Sequence, residues 1–458
     1  MPTKAEGYVT DVPYVPSFIR ELAPAWLDHV ALISGFAPPA RNQGFTYCDL
    51  GCGLGVTTAI LAATHPAGRF HGIDAMAPHI EAAGRLASDI ALTNVRFHAT
   101  DFDAASAEDL PAFEYIVSHG VYSWVEPRIQ ASLRGFIQRH LKPGGLVYIS
   151  YNAMPGRAAD LPLQRLVRAL GRTFSGDSAT RVTRALEIVR AAAEIKTPAL
   201  VASPFAEQFK QSKERFQTAY LAHELMGDYW EPQCVTDVRA AMRAIGLEPV
   251  GSATLMENYD SHVLGAAARG ILADIADDDV RELARDFFID QFFRRDVFVR
   301  DGRRLDEKDQ DEQLLNSTYA LAQPAGTVEY SVSTAAGQLK FDNDVARAIV
   351  SLLASGPSTL AALATDSGIN ANDLLANTQV LSAAGAVWPV EPGRASVTAV
   401  NRAIRQRLDG PEQIRHLALS CGTALPINDA VREYLRGGEI REGSNSDQWR
   451  DFLLAHGL

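Results

Sequence analysis

At residues 45–64 a short apolar strand, Phe45 to Leu50, runs through the turn Gly51-Cys52-Gly53-Leu54-Gly55 directly into a helix of small residues. Few folds accept that unit. Glycine lets the backbone turn tightly and approach a ligand closely. The pattern then repeats without the glycines. Residues 69–74 form a second strand and 78–90 a helix, with further strands at 95–99, 115–118 and 145–151, the last after the turn Pro143-Gly144. Strands that alternate with helices imply a parallel sheet covered on both faces.

The sheet does not stop at residue 151. Residues 235–245 have the spacing of a helix, 247–253 that of a strand, and 296–300 that of another. The stretch between would be a helical insertion into one α/β core. Its residues 161–222 carry 10 Lys/Arg against 5 Asp/Glu, a net of +5, so the rest of the chain carries -17 of the total of -12. The expected boundaries are a core with an N-terminal arm at 1–155, a helical insertion or cap at 156–232, the rest of the core at 233–303, and a charged linker at 304–329. Beyond these, three helices and a strand predict a winged-helix-like α+β domain at 330–398, and 399–458 a helical tail.

Charge and composition exclude several classes. An acidic chain is poorly suited to phosphate neutralisation, so no nucleic-acid partner is expected. Residues 371–384, the third helix of the winged-helix-like domain, contain Asp373 and no Lys or Arg, the opposite of a DNA reader. Four scattered cysteines, Cys48, Cys52, Cys234 and Cys421, form no disulfide framework or zinc pattern, and no metal is expected. No apolar run reaches the ~18 residues of a membrane span, and the first residues lack a signal sequence's apolar segment. The expectation is a reduced, cytoplasmic protein.

The chemistry sits at the strand ends. Asp49 precedes Gly51 and Gly53, and an acid there suits a cationic ligand better than a pyrophosphate. Asp74 ends the second strand, 19 residues after Gly55, where a carboxylate accepts both ribose hydroxyls, with Ala75 beside it. Asp101 and Phe102 follow the third strand, where an acid and an adjacent amide serve adenine. The pattern is the one expected for S-adenosylmethionine (SAM), whose amino and sulfonium groups are positive.

Residues 8–156 resemble the class I SAM-dependent methyltransferases, with DLGCGLG, HGID, ATDF and LKPGGLVYIS in the expected order. YVTDVPY at 8–14, HGVYSWV at 119–125 and ISYNAMPG at 149–156 resemble the bacterial methyltransferases that carry a methyltransferase regulatory domain. YLAHELMGDYWEP at 220–232, VGSATLMENYD and FFRRDVFVR resemble that domain itself. The family includes the rickettsial protein lysine methyltransferases, and the likeness covers about residues 1–303 well and 330–458 loosely. It implies a Rossmann-like class I methyltransferase core with SAM as cofactor and S-adenosylhomocysteine as product. It also implies transfer to a protein lysine nitrogen.

The catalytic candidates are His119, Tyr122, Trp124 and Asn152. Tyr14 in the arm is expected at the methionine carboxylate and His119 near the cofactor. Tyr8, Tyr151, His223, Tyr229 and Trp230 are candidates for a substrate wall or lid. An Asn-Pro-Pro-Tyr segment, which would hold a planar nitrogen, is absent after the fourth strand. Two other readings compete: a small-molecule O- or N-methyltransferase, and a scaffold that binds SAM without turnover. A homodimer through the insertion or the C-terminal domains is the self-association to look for.

Overall fold

The computed structural model describes residues 9, 11, 12, 14, 16–41, 43–198, 218–392, 395–409, 413–436 and 446–455. Seven strands make one sheet: β1 (Phe45–Leu50), β2 (Gly68–Asp74), β3 (Val95–Ala99), β4 (Phe113–Ser118), β5 (Leu141–Asn152), β6 (Leu247–Ser252) and β7 (Phe293–Arg300). Their order is β3-β2-β1-β4-β5-β7-β6. Pairings among β1 to β5 are parallel, whereas β7 runs antiparallel to both β5 and β6. β1 is buried at every position, as expected of a strand covered on both faces. The order reverses between β1 and β4, where open α/β sheets bind ligands.

Helices α1 (Pro24–Ile33), α2 (Val56–Thr64), α3 (Ala77–Asp89), α4 (Phe102–Ala107) and α5 (Pro127–His140) flank the first five strands. Between β5 and β6 lie α6 (Leu161–Gly171), α7 (Ser178–Glu194), α8 (Thr218–Met226) and α9 (Val235–Arg243). The first three share a core of their own with Val9 and Val12 of the arm. Asp11 accepts a hydrogen bond from Ser178 N at 2.8 Å, capping the start of α7. The arm is therefore stitched to the insertion. Between β6 and β7 come α10 (Asp260–Val263), α11 (Ala266–Ala273) and α12 (Asp278–Ile289).

Two sequence expectations are corrected beyond β7. The charged segment at 304–329 is not a linker. It folds into α13 (Glu307–Asn316) and β8 (Thr318–Leu321). Leu314, Tyr319, Ala320 and Leu321 are buried, and Gln310 donates to Leu32 O on α1 at 2.6 Å. The run of charges covers one solvated face and hides a short apolar one. After the hairpin β9 (Ser331–Thr334) and β10 (Gly337–Lys340) come α14 (Asp344–Leu353), β11 (Ser358–Thr359), α15 (Leu360–Ser367), α16 (Ala371–Ala383) and β12 (Val387–Val390). β8 pairs between β11 and β12, so the misread segment supplies the middle strand of this small sheet.

The final stretch is not a helical tail either. Between α17 (Thr398–Gln406) and the helices α18 (Asp429–Leu435) and α19 (Ser446–Ala455) stands a hairpin, β13 (His416–Leu419) and β14 (Thr423–Pro426). Leu417, Ala418 and Leu419 join one continuous core with α1 and α2. Burying each such Leu contributes roughly 1.5–3 kcal/mol. No helix among the described residues is long and apolar enough to cross a membrane.

Candidate functional site

A cavity of about 580 Å3 opens over the carboxyl ends of β1, β2 and β4. That is within the ~300–1,000 Å3 of small-molecule sites. Its floor is the glycine turn. Gly53 has φ +53 and nothing within 4 Å of where a Cβ would stand, so the turn leaves room for a ligand. Gly51, at φ +80, has Val121 Cγ2 2.4 Å from that position and admits no side chain.

Of the residues expected from sequence, the cavity brings together Tyr14, Asp49, Gly51, Gly53, Asp74, Ala75, Asp101, Phe102, His119, Trp124 and Tyr229. Asp49 is buried and accepts from Thr58 Oγ1 at 2.7 Å. Burial, with the nearby charge of Asp74, pushes its carboxyl up to about 7 against that hydrogen bond. Asp74 accepts from Gly53 N at 2.9 Å and Met76 N at 2.8 Å. A carboxylate offers about four acceptor sites, so others remain for a ligand. Asp101 caps α4 by accepting from Ala104 N at 2.8 Å.

His119 stands at the end of β4, its Nδ1 2.9 Å from Tyr148 Oη and 3.2 Å from Ser150 Oγ. Burial, reinforced by Arg295 and opposed by Glu21, lowers its pKa to about 4. The ring is neutral at physiological pH and a poor store for a proton.

Five expected residues do not line the cavity. Tyr122 is 2% exposed, and its hydroxyl accepts from Arg134 at 2.7 Å. Tyr151 donates to Asp296 at 2.5 Å within a separate core. Alternation along β5 explains this. Tyr148 and Ser150 face His119, and Tyr151 leaves on the opposite face. Asn152 is buried in β5, its carbonyl accepting from Gln233 N at 2.8 Å. His223 bonds Val12 O at 2.9 Å and stands edge-on to Tyr14 at 5.0 Å, so it positions the arm. Trp230 stacks on Trp124 with centroids 5.8 Å apart and backs the wall from behind. Tyr8 lies outside the described residues.

The structure adds residues that the sequence analysis did not single out, although Val121 and Val125 lie within HGVYSWV and Tyr220 opens YLAHELMGDYWEP. Val121, Val125 and Ile129 add apolar side chains to the wall, and Ser17 and Thr57 line it as well. Tyr220 of α8 also lines the cavity. Only the insertion's fold brings it there. Among the described residues, no group of three His, Cys, Asp or Glu side chains is placed to hold a metal ion.

Sheet order and cavity together define a Rossmann-like methyltransferase. A methyltransferase-domain family model matches residues 48–147, and the predicted methyltransferase regulatory domain matches residues 217–300. The uncharacterized protein sll1526 of Synechocystis is 31% identical over 455 residues, 97% of this chain and 90% of that one. The chain belongs to this family of SAM-dependent methyltransferases with a methyltransferase regulatory domain. PKMT2 from Rickettsia typhi, solved in complex with AdoHcy, superposes with a TM-score of 0.70 at 19% identity, over 96% of this chain and 91% of that one. Trans-aconitate 2-methyltransferase of Azoarcus is 34% identical over 130 residues, covering 28% of this chain and 45% of that enzyme. The region matched as regulatory contains β6 and β7, so it completes the catalytic sheet.

Proposed function

We propose that the protein transfers methyl groups from SAM to lysine nitrogen on a protein substrate. The cofactor supplies an electrophilic methyl on a positive sulfur. The cavity's residues fit it. Asp49 is a buried carboxyl in want of a cation, and Asp74 keeps acceptor sites for ribose hydroxyls. Asp101, the Phe102 amide and the wall of Val121 and Ile129 suit adenine. Tyr14 and the arm close over the methionine end. His119 orients by hydrogen bonding and does not take up a proton.

The lysine assignment rests on the resemblance to the rickettsial protein lysine methyltransferases, which extends along 96% of the chain in the fold of PKMT2. The cavity's lining supports it, because Tyr14, Tyr220, Tyr229 and Trp124 contribute aromatic rings to it. Ring faces hold cationic chains. The short match to trans-aconitate 2-methyltransferase favours a small-molecule acceptor as the second reading.

Methyl-labelled SAM incubated separately with host protein and metabolite extracts decides between them. Label in protein, with lysine mass shifts of one to three methyl groups, is expected. Label in small molecules alone sinks the lysine reading, and no label in either extract favours the scaffold. Asp74→Ala should abolish SAM binding in calorimetry; tight binding by that variant contradicts the assigned ribose site.

A further inference from the structure

The cavity takes part of its wall from the short stretch just before α1, where Pro16, Ser17, Ile19 and Leu22 line it. A segment this short does not hold a shape by itself, and its ties come from two sides. From the core, Thr57 at the start of α2 accepts from Ile19 N at 3.1 Å and donates to Ser17 O at 3.3 Å. From the C-terminal elements, His416 of β13 accepts from Phe18 N through Nδ1 at 3.4 Å, and its ring centroid stands 6.0 Å from that of Phe18. Phe18 itself is buried in the core it shares with Leu417 and Leu419. Burial lowers the His416 pKa to about 4, so the ring is neutral and Nδ1 is free to accept. Two residues on, the Arg20 guanidinium lies over two rings, 5.2 Å from Trp26 of α1 and 5.1 Å from Trp388 of β12.

We propose that His416 and Trp388 are positioning residues for the cofactor: through Phe18 and Arg20 they hold the wall at 16–22 in its binding shape before SAM arrives. Neither side chain lines the cavity, so each acts through the segment it grips. The physical ground is preorganisation. A wall that is already ordered costs the ligand nothing on binding, whereas a wall that is correctly placed only part of the time lowers the apparent affinity by that fraction. The two grips come from different C-terminal elements, the small sheet of β12 and the hairpin of β13, and both close on the same few residues. The C-terminal elements are in this way part of the SAM site. The inference rests on SAM as the cavity's ligand and is independent of which group accepts the methyl.

The test uses the full chain as wild type, His416→Leu, His416→Asn, Arg20→Met and Leu425→Ala. Calorimetry gives the SAM affinity of each, and urea unfolding its stability. His416→Leu keeps the bulk but leaves Phe18 N without its acceptor, and SAM should bind about fivefold more weakly. Asn carries Oδ1 where His carries Nδ1, so His416→Asn should recover affinity to within about twofold of wild type. Arg20→Met removes the cation from Trp388 and should also weaken SAM, which tests the second grip by itself if His416→Leu does not fold. Leu425 pairs with Leu417 across the hairpin and so faces away from His416. Leu425→Ala should lower the urea midpoint and leave SAM affinity within about twofold. Unchanged SAM affinity in His416→Leu and Arg20→Met overturns the proposal. A loss in Leu425→Ala equal to that in His416→Leu overturns it too, since the hairpin would then serve stability alone. His416→Asn binding as weakly as His416→Leu removes His416 from the role. No SAM binding by wild type overturns the cofactor reading of the cavity, and this inference falls with it.

Discussion

The Asp49 carboxyl is buried beside a second acid, and Thr58 donates a side-chain hydrogen bond to it. A cationic cofactor group would relieve that conflict by favouring the charged form. The sign follows. Binding lowers a pKa that stands at about 7 in the free protein, so it expels a proton and tightens as pH rises. SAM affinity should be level above about pH 7 and weaken about tenfold per unit below it. Asp49→Asn should bind more weakly and flatten this dependence; a flat wild-type profile in calorimetry removes Asp49 from the role. Asp49, Asp74 and Asp101 were legible in the sequence because covalent spacing alone puts them at strand ends. Tyr151 was not, since its partner Asp296 lies 145 residues away on β7.

At the level of elements, β7 is tied to α12 and β5 by a buried charge cluster. Arg294 bonds Glu282 at 2.6 Å and Asp296 at 3.0 Å, and also pairs with Asp286. Burial would raise Glu282, but Arg294, Arg239 and Arg285 hold it down to about 2. Asp286, with burial dominant, stands at about 7. Removing the shared cation leaves three acids facing one another. Arg294→Met should cost about 3–5 kcal/mol, read as a lower urea midpoint. A loss below about 1 kcal/mol would show that the cluster is dispensable. The strands and helices of the sheet were legible from their periodicity. α13 and β8 were not, because five charged residues in the first turns of α13 outweighed a short apolar face that is revealed by the elements packed on it, among them α1 and β12.

Across the whole molecule, Arg41 joins the catalytic core to the C-terminal elements. It pairs with Asp28 of α1 at 2.8 Å and with Glu391, just past β12, at 2.5 Å. Glu391 also meets His65, at the end of α2, at 3.2 Å. Burial would raise Glu391, but His65 and Arg41 hold it down to about 2. Its stabilisation is present above the unfolded value of 4.5 and is lost as pH falls through about 2. Asp28 runs the other way, lifted to about 6 by burial, and offsets part of this. Glu391→Gln should therefore destabilise by about 1–3 kcal/mol at neutral pH and by much less at about pH 2. Urea unfolding at both values measures the difference, and an equal loss at each would exclude the ionic role.

The sequence alone determined the parallel sheet, the glycine turn and the strand-end positions of the three acids proposed to hold the cofactor. Each depends on spacing within one strand, turn or helix, which local geometry enforces. The tertiary structure decided which side chains share the cavity. Tyr220 comes from an insertion, Tyr14 from an arm fixed by that insertion, and β6 and β7 from the region matched as regulatory. Those placements depend on burial between segments far apart in the chain, and no local pattern encodes such contacts.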